Sequence, residues 1–108
     1  MPNEVLGGFE HQVLLAVLRL GSEAYSVPIV LELEERTGRS VGPSKVYVTL
    51  RRLENRRLVR SRFEPPPAEE GGRDRRIFTL EPSGLELLKK SKQVFSNLWE
   101  NLPILDET

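Results

Sequence analysis

The chain has 108 residues, 38% of them apolar, with 16 Lys and Arg balancing 16 Asp and Glu and no cysteine. That length makes one domain of ordinary size, and the lack of cysteine excludes disulfides, thiol chemistry and cysteine-based zinc sites. The longest apolar run, Val13–Leu20, is interrupted by Arg19 and is much too short to span a bilayer, so the sequence predicts a soluble, unprocessed, cytoplasmic protein with no membrane partner.

The neutral total conceals a segregation of charge. Residues Arg36–Phe63 hold nine Arg or Lys and one acid, Glu54, so this block carries +8 and the remainder −8, with −5 of that on residues 1–35. Clustered cations of this density suit a polyanion, because they displace the counterions condensed on phosphates. The modest apolar fraction points to a domain that completes its burial by self-association.

In chain order, Phe9, Val13, Ala16, Val17 and Leu20 recur at helical spacing and Gly21 is a stop signal. Leu14 and Leu18 widen the stripe, which predicts two buried sides, one within the domain and one for a partner. Ser26 is a candidate N-cap, with Pro28 in the first turn of a helix over Ile29–Thr37 and Gly38 as its C′ residue. A third helix opens at a Ser40 or Gly42 cap with Pro43 in its first turn and ends near Arg57. Its inward face is Val46, Leu50 and Leu53, and its outward face is Ser44, Tyr47, Val48, Arg51, Arg52 and Asn55.

Leu58–Phe63 alternates as a strand, with Val59, Ser61 and Phe63 on one side and Arg60 and Arg62 on the other. Three prolines and two glycines make Glu64–Gly72 a turn or loop, and Ile77–Leu80 is a second strand, which together predict a hairpin bringing Arg73, Arg75 and Arg76 to its tip. Pro82 starts a last helix reaching about Leu102. A heptad frame places Leu88, Phe95 and Leu102 at one position and Gly84, Ser91 and Leu98 at the other, with Leu85, Val94 and Trp99 broadening the seam.

The expected fold is therefore mainly α with a small β-hairpin, in the order α-α-α-β-β-α of a winged helix-turn-helix. Residues 1–80 form the DNA-binding domain and 81–108 a C-terminal dimerisation helix. On this reading Ser44 and Tyr47 hydrogen-bond phosphates, Val48 meets a thymine methyl, and Lys45, Arg51, Arg52 and Asn55 line the same face, joined by Arg73 and Arg75 from the hairpin. Solvated helix charges are the plainer account of any single arginine, as a packed helix edge is for Tyr47. His11 is the sole histidine, so no metal site is expected. With no His pair and no phosphate-binding glycine motif, neither an enzyme nor a cofactor is expected.

The segment AYSVPIVLELEERTGRSVGPSKVYVTLRRLENRRLV, Ala24–Val59, resembles the PadR family of bacterial transcriptional regulators, as do Gly71-Gly72-Arg73 and Arg76–Gly84, RIFTLEPSG. The likeness extends over residues 6 to about 102. Departures are Ser26 and Arg57 where the family usually has Gly, Glu81 where it usually has Thr, Val48 at a position often Pro, Ala or small polar, and an acidic triple-proline wing. The resemblance implies a dimeric, sequence-specific repressor on an inverted repeat. Its dimer interface would be built by the last helix, here Leu88, Phe95, Leu98, Trp99 and Leu102, helped by the first. Some members of the short branch sense flat hydrophobic compounds in a pore between subunits, and the matching effector position is Phe95, with Trp99 one turn on. A winged helix serving as a protein-interaction module without a DNA target is the alternative.

Overall fold

A computed structural model describes residues 5–103. Its elements are α1 (Gly8–Leu20), α2 (Ser26–Thr37), α3 (Pro43–Asn55), β1 (Val59–Glu64), β2 (Arg75–Leu80) and α4 (Pro82–Trp99), with one 3-10 turn at Gly21–Glu23. This is the winged helix-turn-helix order. The 1–80 and 81–108 division runs at both ends into residues 1–4 and 104–108, which lie outside the described residues.

The core is one cluster to which every helix and both strands contribute, including Val13, Leu14, Val17, Ile29, Val46, Leu50, Leu53, Val59, Phe78 and Leu88. The predicted inward triad of α3 is buried, and Thr49 joins it. The strands pair antiparallel from Val59↔Leu80 to Glu64↔Arg75. The far side of β2 is tied to the α1–α2 link, where the Phe78 N–H donates to the Ala24 carbonyl at 2.8 Å. Of the β1 face Val59–Ser61–Phe63, only Val59 is buried, because the hairpin runs outward past the edge of the core.

Several helix ends differ from expectation. Tyr25, not Ser26, is the extended N-cap residue of α2, so Pro28 falls at its third position, where no intrahelical N–H is required. Gly38 ends α2 with φ 72°, as expected of a C′ glycine. Glu34 crosses the turn and accepts the Val41 N–H at 2.9 Å, which fixes the corner between α2 and α3.

α3 stops at Asn55, two residues early, and closes in a Schellman arrangement. The Leu58 N–H donates to Leu53 O at 3.0 Å and the Arg57 N–H to Glu54 O at 2.9 Å. Arg57 therefore occupies the left-handed position, with φ 62°. A side chain there is strained by roughly 1–2 kcal/mol, while glycine is not. Arg57→Gly is expected to raise stability by about 1 kcal/mol, read as a higher melting temperature. A lower melting temperature would contradict the strain.

α4 is one apolar stripe used in two ways. At about 100° per residue, Gly84, Leu87, Leu88, Val94, Phe95, Leu98 and Trp99 share one face. The first half of that face, Gly84, Leu87 and Leu88, is buried in the protomer's own core. Leu88 is only 4% exposed, which corrects its assignment to the dimer seam. The heptad frame placed Leu88 on the correct face, but at a height along the helix where the protomer already covers that face. It also follows that packing does not break at residue 80, because the start of α4 belongs to the winged-helix core.

Candidate nucleic-acid interface

α3 crosses the core on Val46, Thr49, Leu50 and Leu53, which leaves Ser44, Lys45, Tyr47, Val48, Arg51, Arg52 and Asn55 all exposed. Ser44, Val48, Arg51 and Asn55 form the outermost row. Lys45 and Arg52 flank it on one side, Tyr47 on the other. The helix also begins with Gly42 as cap and Pro43 in its first turn, so its positive dipole end opens at the same face.

The cations of this region differ in their availability. Arg36 pairs with Glu32, Arg60 with Glu81, Arg62 with Glu64 and Arg56 with Glu10. Arg51 donates to Tyr47 Oη at 3.3 Å and lies 3.6 Å from Glu54. Lys45 is held over the Phe9 ring at 4.4 Å. Among the described residues, Arg39, Lys45, Arg52 and Arg57 of the basic block enter no ion pair. Arg39, at the α2–α3 corner, was not singled out from sequence, because its place in a turn gave it no face.

The expectation that Arg73, Arg75 and Arg76 share the hairpin tip is corrected. Only Arg73 lies in the exposed loop. Arg75 is in β2, paired with Glu70 and laid over the Tyr25 ring at 4.6 Å. Arg76 is turned inward to α3. Its Nε donates to Ser61 Oγ at 2.9 Å, Nη1 to Tyr47 Oη at 3.2 Å and Nη2 to Glu54 Oε1 at 3.2 Å. Ser61 Oγ in turn donates to Glu54 Oε2 at 2.8 Å. The lone acid of the basic block thus anchors the hairpin to α3. The Tyr47 phenol is drawn below its usual pKa of 10.0, first by the hydrogen bond from Arg51 and then by the charges of Arg76 and Arg51.

A second feature lies on α4. Phe95, Leu98 and Trp99 are 58%, 64% and 71% exposed, and Val94 and Leu102 are exposed beside them. His11 of α1 meets Ser91 of α4 at 2.7 Å, and burial lowers the imidazole pKa, which favours the neutral ring. Beside this contact is a pocket of about 260 Å³ lined by Leu6, Gly7, Gly8, His11, Gln12, Ser91 and Phe95. Trp99 does not line it. No group of three or more His, Cys, Asp or Glu able to hold a metal occurs among the described residues.

The Transcriptional regulator PadR-like family matches this sequence over residues 14–90. The chain belongs to that family. PadR-family proteins are transcription factors and not enzymes. A PadR-like transcription factor from Bacteroides fragilis superposes with a TM-score of 0.68 at 24% identity, covering 83% of this chain and 82% of that one. A PadR-like regulator from Bacillus cereus gives 0.67 at 20% identity, with 83% and 82% covered. These likenesses establish the PadR winged-helix fold. An uncharacterized 37.1 kDa protein of transposon TN4556 from Streptomyces fradiae is 33% identical over 87 residues, 81% of this chain. The chain spans about a quarter of the length of that curated relative, 23%. No helix among the described residues is long and apolar enough to cross a membrane.

Proposed function

We propose that this chain is a homodimeric repressor that lays α3 in the major groove of an inverted-repeat operator. The observation that carries the reading is the outer face of α3. It offers hydroxyl, amide, methyl and guanidinium groups side by side, and Arg52 makes no ion pair among the described residues. These are the chemistries that read phosphates and base edges. In this role Ser44 and Tyr47 contact phosphates, Val48 meets a thymine methyl, and Arg51, Arg52 and Asn55 face the groove. Lys45, stacked on Phe9, and Arg73, in the loop, serve the flanking backbone. Arg75 is already engaged by Glu70 and contributes less. The dimer is formed by the exposed half of α4, Phe95, Leu98, Trp99 and Leu102, helped by Leu15 and Leu18 of α1, which are also exposed. A small hydrophobic effector would enter beside Phe95, with Trp99 closing the site once the second subunit is present. The regulator acts in the cytoplasm, where bacterial DNA lies.

Selection of bound genomic fragments tests the proposal. It should enrich an inverted repeat whose half-site centres lie about one helical turn apart, roughly 34–36 Å. Uniform recovery without any shared site would contradict it. Arg52→Ala should weaken DNA binding and lower the salt slope by about one per subunit, while stability changes by under about 0.5 kcal/mol. A large fall in melting temperature with unchanged binding would contradict the placement of Arg52. A second reading, an interaction module without a DNA target, is favoured by the hairpin, where Glu64 and Glu70 neutralise Arg62 and Arg75.

A further inference from the structure

The hairpin arginine that reaches the recognition helix, Arg76, is engaged within the protein. All three nitrogens of the Arg76 guanidinium are occupied, by Ser61 Oγ at 2.9 Å, Tyr47 Oη at 3.2 Å and Glu54 Oε1 at 3.2 Å. Its plane lies near the rings of Phe63 and Phe78, at 5.1 and 5.8 Å from their centroids. Ser61 accepts from Arg76 and donates to Glu54 Oε2 at 2.8 Å, which closes a ring of three hydrogen bonds between β2, β1 and α3. The direction of every bond in that ring is determined, because a guanidinium can only donate and a carboxylate can only accept.

The consequence falls on Tyr47. Its oxygen accepts from Arg76 Nη1 at 3.2 Å and from Arg51 Nη1 at 3.3 Å. A phenol oxygen that already accepts from two guanidinium groups has no acceptor capacity left to offer, so what the hydroxyl can still contribute is its own proton. Tyr47 is exposed on the outer side of α3, so its hydroxyl can turn that proton to solvent.

We propose that Arg76, with Glu54 and Ser61, is a positioning residue that fixes the hairpin on α3 and turns the Tyr47 hydroxyl into a committed donor for a DNA phosphate. Arg76 itself touches no phosphate. Glu54, the one acid of the basic block, holds that guanidinium in place. The inference rests on the DNA-binding reading above and deepens it.

The test measures binding of a random-sequence DNA duplex over a range of salt concentrations. The full chain is compared with its Arg76→Gln, Arg76→Lys and Tyr47→Phe variants and with the Arg76→Gln/Tyr47→Phe double variant. A cation that touched a phosphate would give up about 0.9 of salt slope per contact when neutralised, and lysine would largely replace it. As a positioning residue, Arg76 should behave otherwise. Arg76→Gln and Arg76→Lys should each weaken binding about tenfold, the loss of roughly one charge-assisted hydrogen bond per site, with the slope unchanged. Tyr47→Phe should cost about the same, and the double variant little more, since one contact is lost in each case.

A slope that falls in Arg76→Gln while Arg76→Lys binds like the parent would overturn the inference alone. So would losses that simply add in the double variant, which is the result of a purely structural role. Should Arg76→Gln fail to fold, Arg76→Lys and its combination with Tyr47→Phe give the same decision. A parent chain that does not bind the duplex even at low salt would overturn the DNA-binding reading and this inference together.

Discussion

Gly84→Ala is expected to lower stability by about 3 kcal/mol, equivalent to roughly 15 °C in melting temperature for a domain of this size. A β-carbon at Gly84 would stand 2.3 Å from Leu58 O and 2.7 Å from Leu80 Cδ1. The leucine methyl could rotate away. The carbonyl could not, because it accepts the Glu81 N–H at 2.9 Å and belongs to the residue that closes the C-terminus of α3. Relief requires α4 to lift off the start of β1, which uncovers Leu87 and Leu88 and re-aims the exposed half of the helix. The variant should therefore lose thermal stability and shift the monomer–dimer balance together. An unchanged melting curve would show that α4 is not seated as closely as this.

Leu98→Glu should leave the chain folded and abolish the proposed dimer. Leu98 is 64% exposed and makes no part of the internal core, so a charge there costs the protomer little. In a dimer the same charge would be buried among Phe95, Trp99 and their equivalents without a partner, a penalty of several kcal/mol. Sedimentation equilibrium should show a monomer with the parent's melting temperature. DNA affinity should fall about a hundredfold or more, because the two half-sites would no longer be engaged as one ligand. A dimer that survives the substitution would place the interface elsewhere.

The order of elements was legible because each left a periodic mark: Val46, Leu50 and Leu53 at helical spacing, Arg60 and Arg62 alternating with Val59 and Ser61, and Gly38 at a helix end. The outward face of α3 followed from the same wheel. The structure exposes every residue assigned to it. Three features were hidden for definite physical reasons. Glu54 was counted as the exception in a basic block, since its partners Ser61 and Arg76 lie 7 and 22 residues away and no local pattern couples them. Arg75 and Arg76 were sent to the hairpin tip because strand length cannot be read through a proline- and glycine-rich loop. β2 begins at Arg75, and that start directs one arginine to Tyr25 and Glu70 and the other to α3. Leu88 and Leu98 look alike in a heptad frame. Only the axial position of α4 on its own core separates the buried one from the exposed one. Arg57 was legible in part: glycine is the family's usual residue there, and the positive φ explains why.

Charge segregated into one block and presented to DNA makes binding depend steeply on salt, which is read as the affinity of the chain for a DNA duplex while salt is raised. Arg39, Lys45, Arg52 and Arg57 carry charge without an ion-pair partner among the described residues, so a dimer presents about twice that number. Between roughly 50 and 200 mM salt its affinity should fall about ten-thousandfold, with log affinity linear in log salt concentration. Binding that is absent at low salt, or that is indifferent to salt across that range, would contradict DNA as the partner of this block and favour a protein.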